Sequence, residues 1–114
     1  ENGHYFMDIP KGAKLGIIAW GATFGPIREA ILMAEREGIK VAHLHPKVLW
    51  PLPDREVKTF ISSVDKVLIP EENYLGHLAE VIRANYDVKP IQVNKCEGIP
   101  FTPEEIYERI KEVA

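Results

Sequence analysis

From Lys14 to the end of the chain, short β-rich runs alternate four times with longer stretches of helical period. This alternation predicts an α/β domain on a mainly parallel sheet, because each parallel strand needs a crossover to bring the chain back to the same end. Helices returning on both faces make the expected architecture a three-layer sandwich. The 114 residues suffice for one such domain and leave no room for a second core. With 46% hydrophobic and 27% charged residues, the chain has the material for that core and is not a disordered tail.

The first expected strand, Leu15-Gly-Ile-Ile-Ala-Trp20, is almost wholly apolar and belongs at the centre of the sheet. Gly21 to Gly25 make the following turn, and Pro26 suits the first position of a helix. Ile27, Ala30, Ile31 and Ala34 form that helix's buried stripe, Arg28, Glu29, Glu35 and Arg36 its wet side, and Gly38 its C-terminal cap. The second strand is Ile39 to His45. A proline-rich loop follows, Pro46 to Pro53, whose three prolines continue neither a central strand nor a helix. A second helix is expected from about Asp54 to Ser63, with Val57, Phe60, Ile61 and Val64 inward. The third strand is Lys66 to Pro70, and its helix carries Leu75, Leu78, Ala79 and Ile82 and ends near Tyr86. The fourth strand is Ile91 to Lys95. Thr102, Pro103 and Glu105 then place a capping hydroxyl, a first-turn proline and a capping-box carboxylate in register, ahead of the stripe Ile106, Tyr107, Ile110 and Val113. The domain proper is thus 14–114, and residues 1–13 are either a linker remnant or an edge strand from Tyr5 to Ile9, antiparallel through a turn at Pro10 to Gly12.

Open parallel sheets bind ligands outside the carboxyl ends of their strands, where the winding reverses. With strand order 2-1-3-4, the loops after the first and third strands flank that point. Gly21, Thr23 and Gly25 could offer backbone N–H groups and a hydroxyl to an anion, although the spacing is neither GxGxxG nor GxxxxGK[ST] and Pro26 removes one donor. Glu71, Glu72, Asn73, Gly76 and His77 form the most polar cluster at a strand end, readable as an acid–base or interdomain contact or as a helix start capped by Asn73. His43 and His45 lie two apart on one face of a strand, with His45 at its end; no HxxxH or cysteine pair accompanies them, so no metal site is expected. His4 lies in the unpatterned tail and carries no signal. Cys96 follows a strand without a base at any telling spacing and reads as an idle thiol. Leu49, Trp50 and Leu52 make an apolar cluster that either folds over the core or docks on a partner.

A net charge of −3, with no basic stripe, argues against nucleic acid as a partner. Apolar runs are strand-sized and far short of the roughly 20 residues of a membrane helix. The single cysteine excludes an internal disulfide framework, and the composition suits the cytoplasm. The chain starts at Glu1 without an apolar leader, and its first dozen residues are less patterned than the rest, as expected of a piece of a longer polypeptide.

Several short segments occur in a telling order: Ile18-Ala-Trp-Gly-Ala-Thr-Phe-Gly25, Glu37-Gly-Ile-Lys-Val41, His45 with Leu49-Trp-Pro-Leu-Pro53, Glu71-Glu-Asn73 with Gly76-His-Leu78, and Gly98-Ile-Pro-Phe101. Together they resemble the C-terminal part of the alpha subunit of 2-oxoacid:ferredoxin oxidoreductases, over about 14–113. The resemblance implies a fold like the transketolase C-terminal domain. It also implies a role in an enzyme that decarboxylates a 2-oxoacid with thiamine diphosphate and magnesium, passes the acyl group to coenzyme A and reduces ferredoxin through an iron–sulfur cluster. Implied partners are the upstream domain of the same alpha subunit, a beta subunit and ferredoxin. The family's Glu-x-Asn-x-x-Gly-Gln pattern falls on Glu71, Asn73, Gly76 and His77, with His77 replacing the usual glutamine. The chain lacks a GDG-type magnesium motif, and one cysteine cannot ligate a cluster. No catalytic side chain is carried over, and a structural, subunit-contacting role is expected. The alternative left open by the residues is a small anion- or nucleotide-binding regulatory module.

Overall fold

A computed structural model describes residues 5–19, 23–46, 54–71, 77–86, 88–94 and 101–113. The elements are β1 (Tyr5–Asp8), β2 (Leu15–Ile18), α1 (Phe24–Arg36), β3 (Val41–Pro46), α2 (Asp54–Ser63), β4 (Lys66–Glu71), α3 (His77–Asn85), β5 (Ile91–Asn94) and α4 (Pro103–Val113). The five-stranded sheet has the order β1-β3-β2-β4-β5. β3, β2, β4 and β5 run parallel, in the spatial order that puts the switch point between the C-terminal ends of β2 and β4.

β1 is the one antiparallel member, pairing Tyr5–Asp8 with Pro46–His43 along the edge of β3. The chain leaves β1 through a turn in which the Ala13 amide donates to the Pro10 carbonyl (3.1 Å) and Gly12 takes φ +86°, a conformation that favours glycine. β3 continues one residue beyond the expected strand and ends on a proline. Pro46 is the strand's last residue, across from Tyr5 and past the register with β2, where a missing N–H disrupts no central ladder.

The two faces divide the core. Ile18, Ala42, Leu44, Val67 and Ile69 pack with Val57 and Phe60 of α2 and Ile82 of α3. Leu15, Ile17, Ala19, Val41 and Leu68 pack with Ile27, Ala30, Ile31 and Ala34 of α1 and with Ile106 and Ile110 of α4. The alternation along β2 and β3 sends successive side chains to opposite helical layers, as a strand covered on both faces requires.

Local signals settle the helix ends. α1 stops at Gly38 (φ +85°), where the Ile39 amide donates to the Ala34 carbonyl and the Gly38 amide to Glu35, both at 3.0 Å; this is the bond pair of a Schellman cap. α4 starts in a reciprocal capping box: the Glu105 amide donates to Thr102 Oγ1 (3.1 Å) and the Thr102 amide to Glu105 Oε1 (2.9 Å). α1 begins at Phe24, so Pro26 is its third residue, still inside the first turn whose amides have no intrahelical acceptor.

Candidate functional site

Thr23 and Gly25 at the start of α1, His45 near the end of β3, Glu71 at the end of β4 and His77 at the start of α3 all sit at the C-terminal edge of the parallel strands. His45 and the start of α1 lie on one face of the sheet, whereas α3 covers the opposite face. Gly21, Asn73 and Gly76, and with them Cys96 and Trp50, lie outside the described residues.

Thr23 is the buried N-cap residue of α1 and makes no side-chain capping bond to the helix. Gly25 is exposed, its φ is not positive, and a Cβ there would meet nothing within 4 Å. Among the described residues no positive φ and no contact calls for glycine, but Gly25 is helical and precedes Pro26, whose ring crowds a Cβ on the preceding helical residue. Gly25→Ala is therefore expected to lower the stability of the isolated chain by about 1 kcal/mol, read as a fall in urea midpoint; a rise would mean that the helix propensity of alanine outweighs that crowding.

The groups that do come together lie where β1, β3 and α1 meet. In the β1–β3 register, Asp8 stands opposite His43 and Phe6 opposite His45, so these four side chains share the α1 face. α1 covers them with Phe24 and Arg28, one turn apart on the helix. Arg28 Nη1 lies 3.2 Å from His43 Nδ1, and His43 Nε2 lies 3.2 Å from His45 Nδ1. Arg28 Nη2 also reaches Asp8 Oδ2 at 3.5 Å, and its guanidinium lies over the Phe6 ring, 5.0 Å from the centroid. Phe24 contacts both imidazoles, at 5.4 Å from His43 and 5.1 Å from His45 between ring centroids, and meets Phe6 edge-on at 5.2 Å.

His43 is fully buried and His45 nearly so. Burial first, then His45, then the Arg28 charge pull the His43 pKa down from 6.5 to about 3. His43 is thus a neutral imidazole at any ordinary pH, its two ring nitrogens engaged by Arg28 and His45 rather than poised to attack a substrate.

Arg28 corrects the sequence reading, which put it on the wet side of the helix. It is only partly exposed and turns over β3, because a buried imidazole needs a donor and the aromatic rings cover the guanidinium's flat face. The signal available in the sequence was the pair Phe24 and Arg28 at helical i, i+4, facing a strand whose alternate residues are His43 and His45.

Among the described residues no group of three or more His, Cys, Asp or Glu could hold a metal ion. No described helix is long and apolar enough to cross a membrane. A cavity of about 370 Å³ lies at the opposite edge of the sheet, lined among others by Lys14, Lys40, Asp65, Lys66 and Val113. There Lys66 Nζ donates to the Val113 carbonyl at 2.7 Å, so this lysine answers the negative end of α4.

The fold and sequence are shared with known proteins. The subunit KorA of a 2-oxoglutarate oxidoreductase from Mycobacterium tuberculosis is 43% identical over 101 residues, which is 88% of this chain but 15% of that protein. The alpha subunit of a 2-oxoacid:ferredoxin oxidoreductase from Aeropyrum pernix is 32% identical over 89% of this chain and 16% of its own length. The chain therefore spans about one sixth of these relatives. Among solved structures, a 2-oxoglutarate:ferredoxin oxidoreductase from Magnetococcus marinus, with 2-oxoglutarate, coenzyme A and succinyl-CoA bound, superposes with a TM-score of 0.88 at 43% identity, covering 95% of this chain and 19% of that one. A split-gene transketolase, at 20% identity and a TM-score of 0.76, shares the fold. Residues 13–106 match the family described as pyruvate:ferredoxin oxidoreductase core domain II, and the chain belongs to that family.

Proposed function

We propose that this chain is the C-terminal domain of the alpha subunit of a 2-oxoacid:ferredoxin oxidoreductase, and that within the enzyme it supplies structure and subunit contacts rather than reacting groups. The observation that carries the reading is the 43% identity over 95% of the chain to one segment of a 2-oxoglutarate:ferredoxin oxidoreductase. In the complete enzyme, thiamine diphosphate supplies the electron sink for decarboxylation of a 2-oxoacid, coenzyme A takes the acyl group, and an iron–sulfur cluster carries electrons to ferredoxin.

The described residues do not fit a thiamine diphosphate–magnesium site. The start of α1 offers a proline in its first turn, and the titratable groups beside it, His43 and His45, are engaged with each other and with Arg28. This chain's residues hold β1, β3 and α1 together at the edge of the C-terminal face. The upstream part of the same subunit and a thiamine-binding beta subunit are the proposed neighbours, and the cytoplasm the proposed compartment.

The test is a pull-down with the tagged chain from cells co-expressing the remaining alpha segment and the beta subunit, joined to calorimetry on the chain by itself. Capture of the beta subunit, with no heat on titration of thiamine diphosphate and magnesium, is expected. Stoichiometric binding of thiamine diphosphate by the isolated chain would contradict the reading. Heat with inorganic phosphate or coenzyme A that is lost in Thr23→Ala and Asn73→Ala would instead favour an anion-binding module.

A further inference from the structure

The cavity of about 370 Å³ at the N-terminal edge of the parallel strands carries a charge that the fold leaves unanswered. Leu15 of β2 is in register with Val41 of β3 on one side and with Lys66 of β4 on the other. Lys14, Lys40 and Lys66 therefore stand at the starts of three neighbouring strands, which lie about 4.8 Å apart. All three line the cavity, and among the described lining residues they face one carboxylate, that of Asp65. Lys66 has a partner, since its Nζ donates to the Val113 carbonyl at the end of α4 (2.7 Å). Lys14 and Lys40 are exposed, and among the described residues neither has an ion-pair partner. The end of α1 does not need them, because its Ala34 and Glu35 carbonyls accept from the Ile39 and Gly38 amides. Like charges side by side destabilise neighbouring strands unless a counter-charge meets them. In a chain whose net charge is −3, this local surplus of ammonium groups calls for an anion from outside.

The cavity itself selects the kind of anion. Ile39 and Val113 give it apolar walls, and it lies at the C-terminal ends of α1 and α4, whose partial negative charge disfavours a free anion inside it. The ammonium groups sit on exposed side chains, where each ion pair is individually weak and screened by salt. A free small anion gains too little there to be held, whereas a carboxylate tethered to the same polypeptide acts at a high effective concentration. This chain spans about one sixth of the length of its relatives, so such a polypeptide is at hand. We propose, on the reading of this chain as one domain of a longer alpha subunit, that the cavity seats an acidic segment from the remainder of that subunit, with a carboxylate held between Lys14 and Lys40 and an apolar side chain lodged against Ile39 and Val113.

The test is carbodiimide cross-linking of the complete native alpha subunit, alone and with its beta subunit, with the joined peptides mapped by mass spectrometry; the reagent couples a lysine amine to a carboxylate where the two are in contact. Lys14 or Lys40 is expected to be joined to one acidic segment of the rest of the alpha subunit. The yield is expected to fall at least about tenfold in about 1 M salt, where the Debye length is about 3 Å. In the subunit carrying Lys14→Glu and Lys40→Glu, amide exchange at 12–15 and 38–41 is expected to quicken at least about tenfold. Lys58→Glu, which alters an exposed lysine of α2 paired with Asp54 on the same helix, leaves that exchange unchanged. Cross-links from both lysines only to the beta subunit, to a second copy of the chain or to Asp65 would overturn the proposal. So would no cross-link at all, or inorganic phosphate alone shielding both lysines from acetylation. A complete enzyme that reduces no ferredoxin with any 2-oxoacid would count against the enzyme assigned above, while the cross-link map still decides what fills the cavity.

Discussion

Gly16→Ala is expected to destabilise the domain by about 2 kcal/mol, although alanine ordinarily suits a strand better than glycine. Gly16 lies in the middle of β2, in register with Ala42 on one side and Val67 on the other. Its φ is not positive, so backbone freedom is not the reason for glycine there. The reason is space. A Cβ would stand 2.6 and 2.7 Å from two ring carbons of Phe60 and 3.2 Å from Val64 Cγ2. β2 cannot retreat, because it is paired on both edges, and Phe60 cannot, because its ring is wholly buried under α2. The expected cost is therefore overpacking in a core already at crystal-like density. Urea unfolding of Gly16→Ala, Phe60→Leu and the double variant measures it. The double variant should be more stable than the summed single effects by at least about 1 kcal/mol, since a shorter side chain relieves the clash. Additive effects would contradict the close packing of Gly16 on Phe60.

The second large effect is a loss of stability in mild acid. The folded pKa of His43, near 3, lies below the ordinary 6.5, so the unfolded chain binds a proton that the folded one refuses. The stabilisation is complete above about pH 6.5 and drains away as pH falls toward 3. One such group costs about 2 kcal/mol by pH 5. His43→Gln, whose amide can accept from Arg28 and donate to His45, should remove this slope. Urea midpoints at pH 7 and pH 5 compare the two proteins. A native chain that loses no more stability than His43→Gln over that interval would show that burial does not hold His43 neutral.

These two features mark where sequence reasoning reaches its limit. Periodicity located α1, α2 and α4 with their buried stripes, since an apolar stripe is a local signal. Gly38 and the Thr102–Glu105 pair declared the helix ends because caps are read within a few residues. The strand order was accessible too, as an apolar first strand belongs at the centre of the sheet. Gly16, by contrast, reads in sequence only as a break in an apolar run, because the ring that needs its space is 44 residues further on. Arg28 reads as a surface charge until β3 and β1 are laid beside α1. The four-residue β1 carries too short a pattern to decide between a linker and an antiparallel edge strand, or to name β3 as its partner. At the candidate site, His45 was legible as a strand-end residue, but its contact with His43, and that of His43 with Arg28, are ones only the tertiary fold brings into line.

We propose that this domain belongs to a 2-oxoacid:ferredoxin oxidoreductase and supports its assembly without supplying reacting groups. This is met most directly by assaying 2-oxoacid- and coenzyme A-dependent reduction of ferredoxin in the purified complex, with the native domain and with Thr23→Ala and His45→Gln. Activity is expected in the native complex, with kcat within about threefold of it, a difference of less than about 1 kcal/mol in the barrier, for each variant that assembles. No ferredoxin reduction with any 2-oxoacid, or a fall in kcat of a hundredfold or more in a fully assembled variant, would contradict it.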